Sequence, residues 1–361
     1  MKCLSCAASL SLLLTCAIAR AEQSAVAPAP TSADRAPTSD TSYIDAQGTA
    51  HVTRVVPVPK TISEEAQRRL SRREPDQGPP QSLDDRRKST DAYTARARVE
   101  WTRLCPHQLT EDKIAGVPVR IVTPPGLLDS NRDKVLVNLH GGGFNSDSGS
   151  FTESIPIASY SKIKVVTVLY RLAPENPFPA AVDDAVAVYK ELLKTYRPQH
   201  IVLYGTSAGA ILTAEVAARL KQLGLPLPEA LGIFSGMGDF ARAGDSVAIY
   251  SLRGFSGHLD PPRPEGTRQE YAGATDLRDP VLSPIFSDLQ GLPPTLFLTS
   301  GRDLLLSGTI NLHRAYLHAG VDARLVVFDA LPHAFWYDST LPEAIEANHI
   351  MADFFVQQLS K

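Results

Sequence analysis

The chain has 361 residues, 43% hydrophobic and 21% charged, enough for one large core or two modest ones and unlike a disordered or fibrous composition. Its 36 Lys and Arg against 39 Asp and Glu leave a formal charge of −3, and an isoelectric point near 6.3 gives no global electrostatic case for nucleic acid or an anionic membrane as a partner. Neutral or acidic small molecules stay open.

Residues 1–21 carry Lys2, an apolar Leu10–Leu14 core and Ala19-Arg20-Ala21, a small-x-small cleavage pattern. They read as a secretory signal peptide, which predicts an exported protein, periplasmic or secreted. Leu13-Leu14-Thr15-Cys16 faintly matches a lipobox, and because threonine fits poorly before the cysteine, lipoprotein anchoring is the lesser alternative. Cleavage would remove Cys3, Cys6 and Cys16, leaving Cys105 without an internal disulfide partner. No later apolar run is long enough for a transmembrane segment.

Residues 22–42, rich in Ala, Pro, Ser and Thr, have almost nothing to bury and predict a flexible linker. Tyr43 to Lys60 is β-like but interrupted by Pro57 and Pro59, which predicts an extended arm. Ser63 marks a helix N-cap followed by Glu64 and Glu65, Asp76 to Pro80 breaks the pattern, and a second helix is expected over Ser82 to Leu104. Its interspersed charges of both signs indicate a solvated face rather than a basic binding patch. Lys113 to Pro124 then reads as a hairpin around Ala115-Gly116.

From there apolar strands alternate with helices. Strands are expected at Lys134–Leu139, Lys164–Leu169, Ile201–Tyr204, Leu231–Phe234, Thr295–Thr299 and Ala323–Phe328. Helices are expected at Ala180–Tyr196, Ala208–Leu223, Ser307–Ala319 and Pro342–Leu359. Residues 238–280 lose the alternation and read as an insertion. Continuous apolar strands separated by helices predict an α/β fold, a mostly parallel sheet with helices on both faces.

Two motifs sit on these strand ends. Gly205-Thr206-Ser207-Ala208-Gly209 joins a strand to a helix, the arrangement that presents a serine hydroxyl on a tight turn. His140-Gly141-Gly142-Gly143-Phe144 ends another strand, and its glycines leave backbone N–H groups open to hold a negatively charged oxygen. No Gly-Lys-Ser/Thr follows and no Gly-x-Gly-x-x-Gly opens a helix, which argues against a phosphate cradle. His140 is expected to order the loop rather than act as a base. A serine nucleophile needs a base and the base an orienting acid; Asp303 and His333 both follow predicted strands at the edge where ligands bind. The order Ser207, Asp303, His333 is that of a Ser-acid-His triad, with Asp329, four residues before the histidine, the rival acid. His313, His318 and His349 lie on helices. Glu175 is expected to be a buried partner for backbone or Arg171, and Asp183 and Asp184 to complement a helix start. Phe335 and Trp336 either wall the pocket or pack the core. No metal-ligand spacing occurs, and no cofactor is expected.

The segments HGGGF at 140–144, YRLAPENPFPAAVDD at 170–184, YGTSAGA at 204–210, DPVLSP at 279–284, GLPPTLFLTSGRDLLLSG at 291–308 and LPHAFW at 331–336 carry a resemblance. Over about Gly48 to Phe355 the chain resembles the hormone-sensitive-lipase-like esterases of bacteria, an α/β-hydrolase branch, and looks like their Gly-Thr-Ser-Ala-Gly subgroup. The resemblance implies one α/β-hydrolase domain over residues 43–361, cap elements near 60–108 and 238–278, and an oxyanion hole from the N–H groups of Gly141, Gly142 and Ala208. It implies a serine carboxylesterase acting on short- to medium-chain carboxylic esters through an acyl-enzyme. An acyltransferase on the same scaffold and a non-catalytic ligand-binding homologue are the alternatives. A small-molecule ester is the expected partner, with a homodimer left open.

Overall fold

The computed structural model describes residues 41–53, 56–72, 82–250, 252–253, 258–259 and 270–361. The expected signal peptide, residues 22–40 of the linker, and residues 251, 254–257 and 260–269 of the insertion lie outside the described residues. The chain forms two compact units, one ending at Pro57 and one from Val58. In the first unit β1 (Tyr43–Ile44) pairs antiparallel with β2 (Ala50–His51), a short ladder within the stretch read as an extended arm. Asp45 makes the turn: its carboxylate accepts the Gln47 and Thr49 amides.

The second unit opens with α1 (Glu64–Leu70) and α2 (Leu83–Leu104). Ser63 caps α1 as expected, its hydroxyl accepting the Ala66 amide, and Ser82 caps α2, its hydroxyl accepting the Asp85 amide, both at 3.1 Å. α2 buries only Thr94 and Trp101, which is why charge of both signs fills the rest of it.

An eight-stranded sheet follows. Its strands are β3 (Gln108–Ile114), β4 (Val117–Thr123), β5 (Val135–Leu139), β6 (Lys164–Val168), β7 (Ile201–Thr206), β8 (Ala230–Phe234), β11 (Thr295–Arg302) and β12 (Ala323–Pro332), and β9 (Leu252–Arg253) pairs separately with β10 (His258–Leu259). The order is β12-β11-β8-β7-β5-β6-β4-β3. All neighbours are parallel except β4, which runs against both β3 and β6.

Side chains alternate across the sheet. Val135, Val137 and Leu139 of β5 with Ile201 and Leu203 of β7 fill one core, while Leu136, Val202 and Tyr204 fill the other. The first core is covered by α4 (Ala180–Leu192), α5 (Ala208–Gln222) and α7 (Leu306–His318), the second by α3 (Ser154–Ser161) and α8 (Pro342–Gln358). Ala66 of α1 and Trp101 of α2 join the second core, and α6 (Asp245–Ile249) packs on α7. Because both faces are covered, β5, β7 and β8 have no exposed residue and read as unbroken apolar runs.

β3 and α3 are among the elements that depart from the sequence reading. β3 starts at Gln108, five residues ahead of the predicted hairpin, because its polar edge residues Gln108 to Asp112 carry no apolar periodicity. α3 has no counterpart there; its Pro156 is the third helical residue, where the backbone N–H has no intrahelical partner to lose.

This order also places the site. The chain leaves β5 for β6 on one side and then enters β7 on the other side of β5. The loops after β5 and β7 therefore diverge and open a crevice at the carboxyl ends of the strands.

Candidate active site

Ser207 stands between β7 and α5 at φ 58°, ψ −122°, backbone that a non-glycine residue rarely adopts. The residues two places to either side must be glycine. A Cβ at Gly205 would lie 2.2 Å from the Leu139 carbonyl oxygen, and one at Gly209 only 1.8 Å from the same atom. The turn thus sits directly on the last residue of β5, and the Ser207 amide ties it to β8 by donating to the Phe234 carbonyl at 2.9 Å.

Asp303 and His333 come together just beyond the last residues of β11 and β12. Arg302 is the register partner of Pro332, so the next residue of each chain leaves the sheet beside the other. His333 Nδ1 lies 2.8 Å from Asp303 Oδ1, which leaves Nε2 for a second partner. Asp303 is fully buried. Its Oδ1 also accepts the Leu305 amide at 2.8 Å, and its Oδ2 accepts the Thr299 hydroxyl at 2.8 Å and the Ser235 hydroxyl. Burial opposes its ionisation, but the adjacent His333 charge and these hydrogen bonds outweigh burial and hold the carboxyl below the usual range. His333 and Ser207 are each only partly buried. Among the described residues no hydrogen bond joins the Ser207 hydroxyl to the His333 ring; contacts of this kind are often long until substrate is bound. The rival acid Asp329 faces elsewhere and accepts the Thr61 hydroxyl.

The glycine loop departs from expectation at one residue. The Gly141 amide donates at 2.9 Å to Glu153 Oε1, a buried carboxylate, and is not available to an oxyanion. The amides of Gly142, Gly143 and Ala208 meet no acceptor among the described residues. Gly142 has φ 126°, and a Cβ there would fall 2.0 Å from the Ser146 carbonyl oxygen, so the loop can take this path only with glycine. His140 orders the loop: its ring is buried, stacks on Tyr170 with centroids 4.2 Å apart, and has Nδ1 2.9 Å from the Gly141 carbonyl.

Other singled-out residues take structural places. Glu175 is not buried and does not meet Arg171; it is half exposed and pairs with Arg87 of α2 at 2.7 Å, which holds it down at about 2. Arg171 pairs instead with Asp184, while Asp183 sits in the first turn of α4. Phe335 and Trp336 are core residues, Trp336 donating its indole N–H to Thr206 Oγ1 at 3.1 Å. His313 lies beside the Ala323 carbonyl and Phe297, His349 stacks on Tyr160, and His318 is exposed. Among the described residues no cluster of three His, Cys, Asp or Glu side chains could hold a metal ion, and no helix is long and apolar enough to cross a membrane. Ser235, Thr299 and Glu153 went unread in the sequence. Their only signal there is position, Ser235 directly after the apolar run of β8 and Glu153 thirteen residues after His140 in the loop leaving β5.

A mixed sheet of this order with a strained serine after β7 is the α/β-hydrolase scaffold. Comparison with known proteins agrees. The alpha/beta hydrolase fold family matches residues 136–337, more than half of the chain, and the chain belongs to that family. It is similar to an acetyl-hydrolase of Streptomyces hygroscopicus, 34% identical over 228 residues that cover 61% of this chain and 75% of that one. It is also similar to an esterase of Acinetobacter venetianus, 28% identical over 235 residues covering 61% and 74%. Among solved structures, esterase E25 superposes with a TM-score of 0.73 at 32% identity, covering 84% of this chain and 97% of E25. An esterase from the bacterial hormone-sensitive lipase family gives a TM-score of 0.67 at 31% identity, covering 82% and 96%.

Proposed function

We propose that the chain is a serine carboxylesterase that hydrolyses short- to medium-chain carboxylic esters through an acyl-enzyme. His333 Nε2 takes the proton of Ser207 as its Oγ attacks the ester carbonyl, and Asp303 holds the ring and stabilises the imidazolium that forms. The amides of Gly142, Gly143 and Ala208 receive the developing oxyanion, and His333 returns the proton to the departing alcohol. Water, deprotonated by the same ring, then releases the acid from Ser207. The observation that carries this reading is the 2.8 Å contact of His333 with fully buried Asp303, on the sheet edge that also bears a strained serine. The similar acetyl-hydrolase and esterases support it.

The cap forms part of the proposal. α2 already contacts the glycine loop: Arg87 donates to the Asn145 carbonyl at 2.7 Å and the Thr94 hydroxyl to the Asp147 carbonyl at 3.3 Å. Export is the third part, supported by the pattern over residues 1–21; a terminus beginning at Glu22 in protein recovered from outside the cytoplasm agrees with it, and an intact Met1 there does not. The activity is tested with p-nitrophenyl esters of graded acyl length, with and without an added alcohol acceptor. Hydrolysis that falls off with long chains and is little diverted by alcohol fits the proposal; ester formation outpacing acid release replaces it with acyl transfer.

A further inference from the structure

Glu153 caps the start of α3, is almost fully buried and takes no part in the steps above. Its carboxylate lies among four segments of chain. Oε1 accepts the Gly141 amide at 2.9 Å and the Tyr337 hydroxyl, while Oε2 accepts Asn138 Nδ2 at 2.7 Å and the Thr206 amide at 3.2 Å. These donors come from β5, from the first glycine of the loop, from the residue before Ser207, and from the turn that follows His333. The Glu153 backbone is held as well, its carbonyl accepting the Tyr204 hydroxyl at 3.0 Å. Gly149 makes the room: a Cβ there would come within 1.8 Å of Oε1.

Four donors around a buried carboxyl suit the anion, and a carboxyl proton would have to displace one of them. Burial pushes the group up to about 7, while hydrogen bonds from Tyr337, Gly141 and Asn138 pull the other way. The other ionisable groups that face it are Tyr204, Tyr170 and Asp147, and Asp147 has His140 Nδ1 at 3.6 Å.

We infer that Glu153 is a positioning residue whose carboxylate sets the spacing between the glycine loop and the serine turn. It binds the Gly141 amide while the next two amides meet no acceptor among the described residues, and it fixes the Thr206 backbone one residue before the nucleophile. This inference rests on the esterase reading. Its reach is catalytic because misplacing reacting groups by about 1 Å costs on the order of 10²-fold in rate.

The test compares Glu153→Gln, Tyr337→Phe and Ser207→Ala in the full chain. Each is assayed for p-nitrophenyl acetate hydrolysis across pH and for thermal unfolding. Glu153→Gln keeps the shape but turns amide hydrogens toward donors, so kcat is expected to fall about 10²-fold with KM moving less than about threefold. Tyr337→Phe removes a donor that favours the anion, so the acid limb of kcat/KM moves to higher pH. A Glu153→Gln chain that folds with kcat within about twofold of wild type overturns the inference. So does a Tyr337→Phe limb that coincides with wild type, and this arm decides the matter if Glu153→Gln fails to fold. Ser207→Ala separates the two readings: if it is inactive while Glu153→Gln is unaffected, only the role of Glu153 falls, whereas full activity of Ser207→Ala removes the esterase reading itself.

Discussion

Asp303→Asn keeps side-chain size while removing one charge from a site with no solvent exposure. The carboxylate meets four donors: His333 Nδ1, the Leu305 amide and the hydroxyls of Thr299 and Ser235. An amide has a single acceptor oxygen. If that oxygen stays on His333 and Leu305, the NH₂ group faces two hydroxyls that can rotate to accept, and the fold survives. If it turns the other way, the NH₂ group meets Nδ1 and forces the ring proton onto Nε2, where the ring cannot take the serine proton. In either orientation the imidazolium formed during attack loses its buried counter-charge. The expected loss is about 10³ to 10⁴ in kcat/KM, or about 4 to 5.5 kcal/mol of barrier. Asp329→Asn is the control, since its carboxylate reaches Thr61 and not the ring; it should stay within about twofold of wild type. Initial rates on a short p-nitrophenyl ester, with circular dichroism to confirm folding, measure both. An Asp303→Asn enzyme keeping more than about a tenth of kcat/KM, or a larger loss in Asp329→Asn, refutes the reasoning.

Three further outcomes follow from the same contacts. Gly209→Ala drives a methyl to 1.8 Å from the Leu139 carbonyl oxygen, and because that oxygen belongs to the backbone of β5 the strain should cost at least about 3 kcal/mol, read by urea unfolding. Glu153 is raised from the ordinary 4.5 to about 7 in the folded chain, so it binds more protons folded than unfolded between those values. Its stabilising contribution is complete below the lower value and lost as pH rises through the upper one, so wild type should lose melting temperature relative to Glu153→Gln across that window. Arg87→Ala removes bonds from α2 to the Asn145 and Ala173 carbonyls and should lower stability by about 1 to 3 kcal/mol, whereas the half-exposed Glu175 adds little, as a Glu175→Gln denaturation curve would show.

The strands that build the sheet were legible because burial on both faces demands unbroken apolar runs, as in Val135–Leu139 and Ala230–Phe234. The helix start at Ser63 was legible because its hydroxyl binds a local amide, and Ser82 caps the next helix in the same way. What stayed hidden depends on partners distant in sequence. Gln108 to Asp112 is strand only because β4 pairs with it. Glu175 finds Arg87, 88 residues earlier, rather than nearby Arg171. The order of Ser207, Asp303 and His333 could be read, but the choice among three glycine amides could not, since it turns on where the Glu153 carboxylate lies.

The most direct measurement is covalent trapping. Incubation with a p-nitrophenyl phosphonate, followed by peptide mass spectrometry, should add one phosphonyl group to the peptide containing Ser207 as ester hydrolysis stops, and Ser207→Ala should neither be labelled nor turn over the ester. Label on another residue, or a Ser207→Ala chain that hydrolyses the ester at the wild-type rate, would contradict the account.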